Sequence, residues 1–163
     1  VQFNGLDYVL IGIVATVTAV QFLRSARDLS RVLYETLFIT GAVVAAVRLL
    51  SPLTKLTHLS APLLLGGGGL LLVVAGVLLA ALFNRFAPFG LGIFNYMFGL
   101  AFAIVCGYAL GHLGLRTAYL ALSPRNPQFA AAVHRSLVAR DLLYFRTAFE
   151  ILVFLRFVRS KGV

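Results

Sequence analysis

Phe94-Asn95-Tyr96-Met97-Phe98-Gly99-Leu100-Ala101-Phe102-Ala103-Ile104-Val105-Cys106-Gly107-Tyr108-Ala109-Leu110-Gly111 lies within 30 consecutive residues, between Arg85 and Arg116, that carry no formal charge. That run exceeds the roughly 20 apolar residues a helix needs to cross a bilayer core. Inside it Gly99, Ala103, Gly107 and Gly111 recur at every fourth residue and so fall on successive turns of one helix face. A face of small side chains lets a second backbone come close, which favours helix association where lipid supplies no hydrophobic driving force. Gly41 with Ala45, and Gly76 with Ala80, repeat this spacing in two other apolar stretches. The expectation is an all-α integral membrane protein: a compact bundle of four transmembrane helices with few large side chains inside, plus a C-terminal amphipathic or docking helix.

Composition points the same way. The chain is 61% hydrophobic and 12% charged over 163 residues, against roughly 25% charged in ordinary soluble domains. One soluble core of this size cannot hide so much apolar surface. The net charge of +9 would raise nucleic acid as a partner in a soluble chain. Here the basic residues sit mostly at the edges of apolar segments, where they meet lipid headgroups. Zinc-finger spacing and nucleotide-binding loops are missing from the sequence, so no nucleic-acid role is expected. Cys106 is the single cysteine and forms no intrachain disulfide. The opening Val1-Gln2-Phe3-Asn4-Gly5 has no basic n-region, so the first hydrophobic stretch reads as a retained helix.

Residues 1–122 are expected to hold the four spans, and residues 123–163 a linker and an interfacial or docking helix. The first span is Leu6 to Leu23, with Asp7 in its first turn and Arg24 just past its last, each suited to the helix dipole. Arg24-Ser25-Ala26-Arg27-Asp28-Leu29-Ser30-Arg31 is a polar junction, read as helical at the water interface with its charges along one side. The second span, Val32 to Leu50, carries Glu35 and Arg48 near its ends and stops at Ser51-Pro52, and Ser51 to Pro62 reads as a loop. The third, Leu63 to Phe83, contains Gly66 to Gly69, which mark a bend or a close helix approach. Asn84 to Gly92 is a turn, and the fourth span runs from Phe94 to about Leu115. From Ala130 to Val158 a helical pattern carries charges that do not collect on one face. Leu142 to Val158 reads as a fifth span with an Arg146–Glu150 pair, as a helix in the headgroups, or as a helix docked on a partner. Short basic loops are retained in the cytoplasm, so Arg24, Arg27, Arg31 and Arg85 are expected to face the cytoplasm with the N-terminus outside; four spans then put the basic tail from about Arg125 outside as well, unless Leu142 to Val158 crosses back.

Chemistry is sparse. His58, His112 and His134 lie in three segments, with no metal-ligand spacing around them. The five carboxylates, Asp7, Asp28, Glu35, Asp141 and Glu150, form no pair at helical spacing, and no serine or cysteine has an evident base beside it. Glu35 is the carboxylate best placed for proton or ion handling, with pairing to Arg31, four residues back, as the plainer account. No enzymatic activity, cofactor, metal or small-molecule substrate is expected. The expected partners are membrane lipids and either integral-membrane proteins or further copies of the chain.

The opening Leu6-Asp7-Tyr8-Val9-Leu10, the basic junction starting 17 residues after Asp7, and the ladder Asn95-x3-Gly99-x3-Ala103-x3-Gly107 behind a glycine-rich turn resemble the CvpA family, the colicin V production proteins. The resemblance covers about Leu6 to Leu122. Asp7 matches the aspartate that opens the family's span. Arg24-Ser25 and Arg27-Asp28 stand where the family has Arg-Gly followed by Arg-Glu, and Asn95 and Ala103 replace an aspartate and a glycine. What the resemblance implies is a small bacterial inner-membrane protein of four spans without catalytic residues. Its implied role is envelope-associated: bacteriocin production or export, cell-wall homeostasis and barrier maintenance. Two other readings stand beside it. One is an accessory structural subunit of a large respiratory or photosynthetic membrane complex; the other is a small transporter or channel component, which needs a polar path.

Overall fold

The structure is a computed structural model and describes residues 3–144. The first helix, α1, spans Gly5–Ser25. Asn4 caps it: its side chain accepts from the backbone N–H groups of Leu6 and Asp7, and the Asp7 carboxylate accepts in return from Asn4 N–H at 2.8 Å. This reciprocal box satisfies donors that a helix start leaves open. After a tight turn α2 covers Leu29–Thr57, with Asp28 as its cap. The junction is therefore two helix ends around a turn at 26–28, where the sequence predicts a connection that is helical at the interface.

The stop expected at Ser51-Pro52 is not observed. Pro52 lies inside α2, which runs on to Thr57 and is capped by His58, in the left-handed region with φ 55°. A proline deletes one bond to the carbonyl four residues back and crowds it. The helix continues past it, and beyond the proline Thr54 donates to the Ser51 carbonyl at 2.9 Å and Thr57 to that of Leu53 at 2.8 Å. The predicted loop over Ser51–Pro62 accordingly shrinks to residues 58–60.

Helix α3 runs over Ala61–Phe86, with a wide π-helical turn at Leu64–Gly68. The glycine run marks the close helix approach expected of it. It contains the irregular turn, and α4 (Phe94–Leu122) comes close beside it. A Cβ on Gly66 would lie 2.8 Å from Thr117 Cγ2, and one on Gly69 would lie 2.9 Å from Leu113 Cδ1. Two short helices follow, α5 (Pro127–Arg135) and α6 (Leu137–Tyr144), separated at Ser136 by an extended backbone. The single helical pattern predicted from Ala130 is thus broken. The proposed span over Leu142–Val158 and the Arg146–Glu150 pair lie largely outside the described residues.

Among the described residues the structure is all-helical, and α1 to α4 are long and apolar enough to cross a membrane. α4 is the central element. Half of its most apolar stretch is buried, against 17% for α1, because α4 packs on α1 along one side and on α2 along another. α3 lies mainly against α2. Ile39, Val43, Ala46, Leu65, Cys106, Ala109 and Leu113 form the main core. A second cluster, Leu10, Leu115, Val133, Ala139 and Leu142, joins α5 and α6 to the ends of α1 and α4. Leu70, Leu71, Leu78 and Met97 point outward, as side chains facing lipid do.

Candidate functional site

Polar side chains gather at both ends of the bundle. At the end where α1 passes into α2, Glu35 is buried nearly two turns below the start of α2, with 1% of its side chain exposed. Arg24 grips it with two parallel bonds, Nη2 to Oε1 at 2.8 Å and Nη1 to Oε2 at 2.9 Å. Arg31 donates from Nε to Oε1 at 3.0 Å, and Gln21 donates from Nε2 to Oε2 at 3.1 Å. A carboxylate only accepts, so four donors satisfy its lone pairs, and the planar arginine fork is the strongest of them. The expected Arg31–Glu35 pair is therefore present as one arm of a larger cluster. Gln21 also approaches Cys106 Sγ of α4, at 3.8 Å. Its Oε1 has no hydrogen-bond partner among the described residues.

Beside this cluster Asp28 fastens the start of α2 to the end of α3. Its Oδ1 accepts from Arg31 N–H and Ser30 Oγ, both at 3.0 Å, and its Oδ2 accepts from Asn84 Nδ2 at 2.8 Å. A short bond from Ser30 to Asn84 closes the ring. Tyr34 adds a bond to the Ala87 carbonyl at 3.1 Å. Arg27 and Arg85 are at this end too, both exposed, and neither joins an ion pair among the described residues.

At the opposite end Asp7 is fully buried. Its Oδ1 accepts from Ser136 Oγ at 2.5 Å and from Val138 N–H at 2.9 Å, while Ser136 itself accepts from Ala139 N–H at 2.8 Å and so caps α6. Asn4 Nδ2 donates to the Ala132 carbonyl at 3.0 Å. The first turn of α1 thereby holds the α5–α6 joint from residues about 130 positions away. From there α6 runs along α1 and α4. Tyr108 donates to the Asp141 side chain at 2.9 Å, and His112 Nδ1 lies 2.5 Å from the Leu142 carbonyl.

Between the two ends runs the small-residue ladder. Gly99, Ala103, Gly107 and Gly111 are all buried and face α1: a Cβ on Gly99 would collide with Ser25 Oγ, and one on Gly107 would lie 2.7 Å from Thr18 Oγ1. A Cβ on Gly111 would lie 3.0 Å from Val14 Cγ2. The ladder is thus occupied inside the subunit. Gly76 presses on the Phe38 backbone of α2, and Ala80 is buried. Gly41 and Ala45 do not continue this pattern. Gly41 faces outward with open space around it, because the rotation of α2 turns its other side to the core.

Sequence reasoning missed Gln21, Asn84, Ser136 and the Tyr108–Asp141 contact. Gln21 carried a signal of its own, as the lone amide within the first span and one turn before Arg24; Ser136 carried none. Among the described residues no group of three or more histidine, cysteine, aspartate or glutamate side chains could hold a metal ion. The chain is a multi-pass helical membrane protein. Compared with protein-family models, with curated proteins and with solved structures, it matches none.

Proposed function

We propose that the protein is a non-catalytic membrane scaffold of the CvpA-like, envelope-associated type, acting in a bacterial inner membrane by holding partner proteins or further copies of itself. The observation that carries this reading is the use to which the four described carboxylates are put. Glu35 ties α1 to α2, Asp28 ties α2 to α3, Asp7 ties α1 to the α5–α6 joint, and Asp141 meets Tyr108 of α4. Groups engaged in this way act as staples, and breaking a buried pair exposes an uncompensated charge. Work done by such a molecule falls to its outer apolar faces.

Native mass spectrometry of the protein drawn gently from its membrane tests the proposal. The expected result is a reproducible assembly with an integral-membrane protein or a defined homo-oligomer. A reproducible stoichiometry within a large respiratory or photosynthetic complex would replace the envelope reading by that of an accessory subunit. Solute flux through reconstituted liposomes that Glu35→Gln abolishes would overturn the scaffold reading in favour of transport.

A further inference from the structure

Arg48 of α2 and Arg116 of α4 line one cavity of about 230 Å³, together with Val43, Val44, Val47 and His112. The two arginines come from helices that meet along the core, and their charges are not spent as those of Arg24 and Arg31 are. Among the described residues the ion pairs belong to Glu35, and neither Arg48 nor Arg116 takes part in one. Arg48 follows the Asp28 cap by 20 residues, about 30 Å along a helix axis. That is the thickness of a hydrocarbon core, so both guanidinium groups sit at the membrane boundary opposite the Glu35 cluster. Val44 is 50% exposed at the cavity and presents an apolar wall to the lipid side.

We infer that this cleft binds the phosphate of an anionic phospholipid, with Arg48 and Arg116 donating to its oxygens and Val44 and Val47 lying against the adjoining glycerol and acyl carbons. Depth selects the occupant. A guanidinium at the headgroup level meets a phosphate at the same level, and its planar fork matches two phosphate oxygens at once. Basic pockets between transmembrane helices are suited to such headgroups. A zwitterionic lipid brings its own cation into the site and gains less. The inference does not depend on which proteins the bundle associates with.

The test is lipid retention. Wild-type protein and the Arg48→Gln, Arg116→Gln and double variants are reconstituted in vesicles of equal phosphatidylglycerol and phosphatidylcholine, extracted gently, and the bound lipid is counted by native mass spectrometry. Wild type should retain phosphatidylglycerol in preference to phosphatidylcholine. Each single variant should retain about fivefold less, the weight of one basic group at a lipid surface. Arg27→Gln, at the other end of the bundle, should retain as much as wild type. Equal retention of the two lipids by wild type, or unchanged retention in the double variant, would overturn the inference. Displacement of the lipid by millimolar inorganic phosphate would reassign the cleft to a free anion. A measurement on wild type guards against a variant that misfolds: photoactivatable phosphatidylglycerol should label the peptides containing residues 43–48 or 112–116, and labelling confined to other segments would refute the site.

Discussion

Gly107 shows how little room separates α4 from α1. A Cβ there would lie 2.7 Å from Thr18 Oγ1 and 3.0 Å from the Val14 carbonyl, and the second of these is backbone that a rotamer change cannot move. Gly107→Leu should therefore lower thermal stability in mild detergent by about 1–3 kcal/mol, the usual cost of overpacking. Gly114→Leu is the matched control, since nothing lies within 4 Å of a Cβ at that glycine. Equal melting temperatures for the two variants would show that the α1–α4 contact is looser than described. Glu35 makes the complementary point about polar residues. Its i,i+4 arginine was visible in the sequence, but the two-bonded grip of Arg24 arises only because the turn at 26–28 folds α1 back beside α2.

At the scale of elements, the joint between α5 and α6 depends on one hydroxyl with two duties. Ser136 donates to Asp7 and accepts from Ala139 N–H, so it both caps α6 and anchors it to α1. Ser136→Ala removes the cap, worth about 1 kcal/mol, and leaves a buried carboxylate oxygen with one donor fewer. The expected outcome is faster tryptic cleavage after Arg135 in the folded protein, read by limited proteolysis, with the four long helices intact. Cleavage at the wild-type rate would count against the anchor. The other departures from expectation are also local. Pro52 does not end α2, and the glycine run relieves its helix through a π-helical turn instead of a break.

Over the whole molecule the four helices divide the basic residues between two ends. Arg24, Arg27, Arg31 and Arg85 share one end, where Glu35 pairs with both Arg24 and Arg31. The bundle brings Arg48, Lys55, Arg116, Arg125, Arg135 and Arg140 to the end that also holds Asn4 and Asp7. Since the more basic side is retained in the cytoplasm, and that end is the more basic among the described residues, we predict a cytoplasmic N-terminus, the reverse of what Arg24, Arg27, Arg31 and Arg85 by themselves imply. In intact cells Ala26→Cys should react with an impermeant thiol reagent and Gln128→Cys should not; the opposite pattern would restore the first orientation. The sequence by itself determined that four segments cross a membrane, because length and apolarity are properties of a stretch of chain that need no neighbour. It also determined which faces carry small residues. It did not decide which of those faces pack. The spacing of Gly41 and Ala45 matches that of Gly99 and Ala103, yet Gly41 looks outward and Gly99 lies under Ser25. Only the tertiary structure placed Asp7 on Ser136, Asn84 on Asp28 and Arg116 beside Arg48. Contacts of that kind depend on the relative rotation and depth of whole helices, and a four-residue period leaves both free.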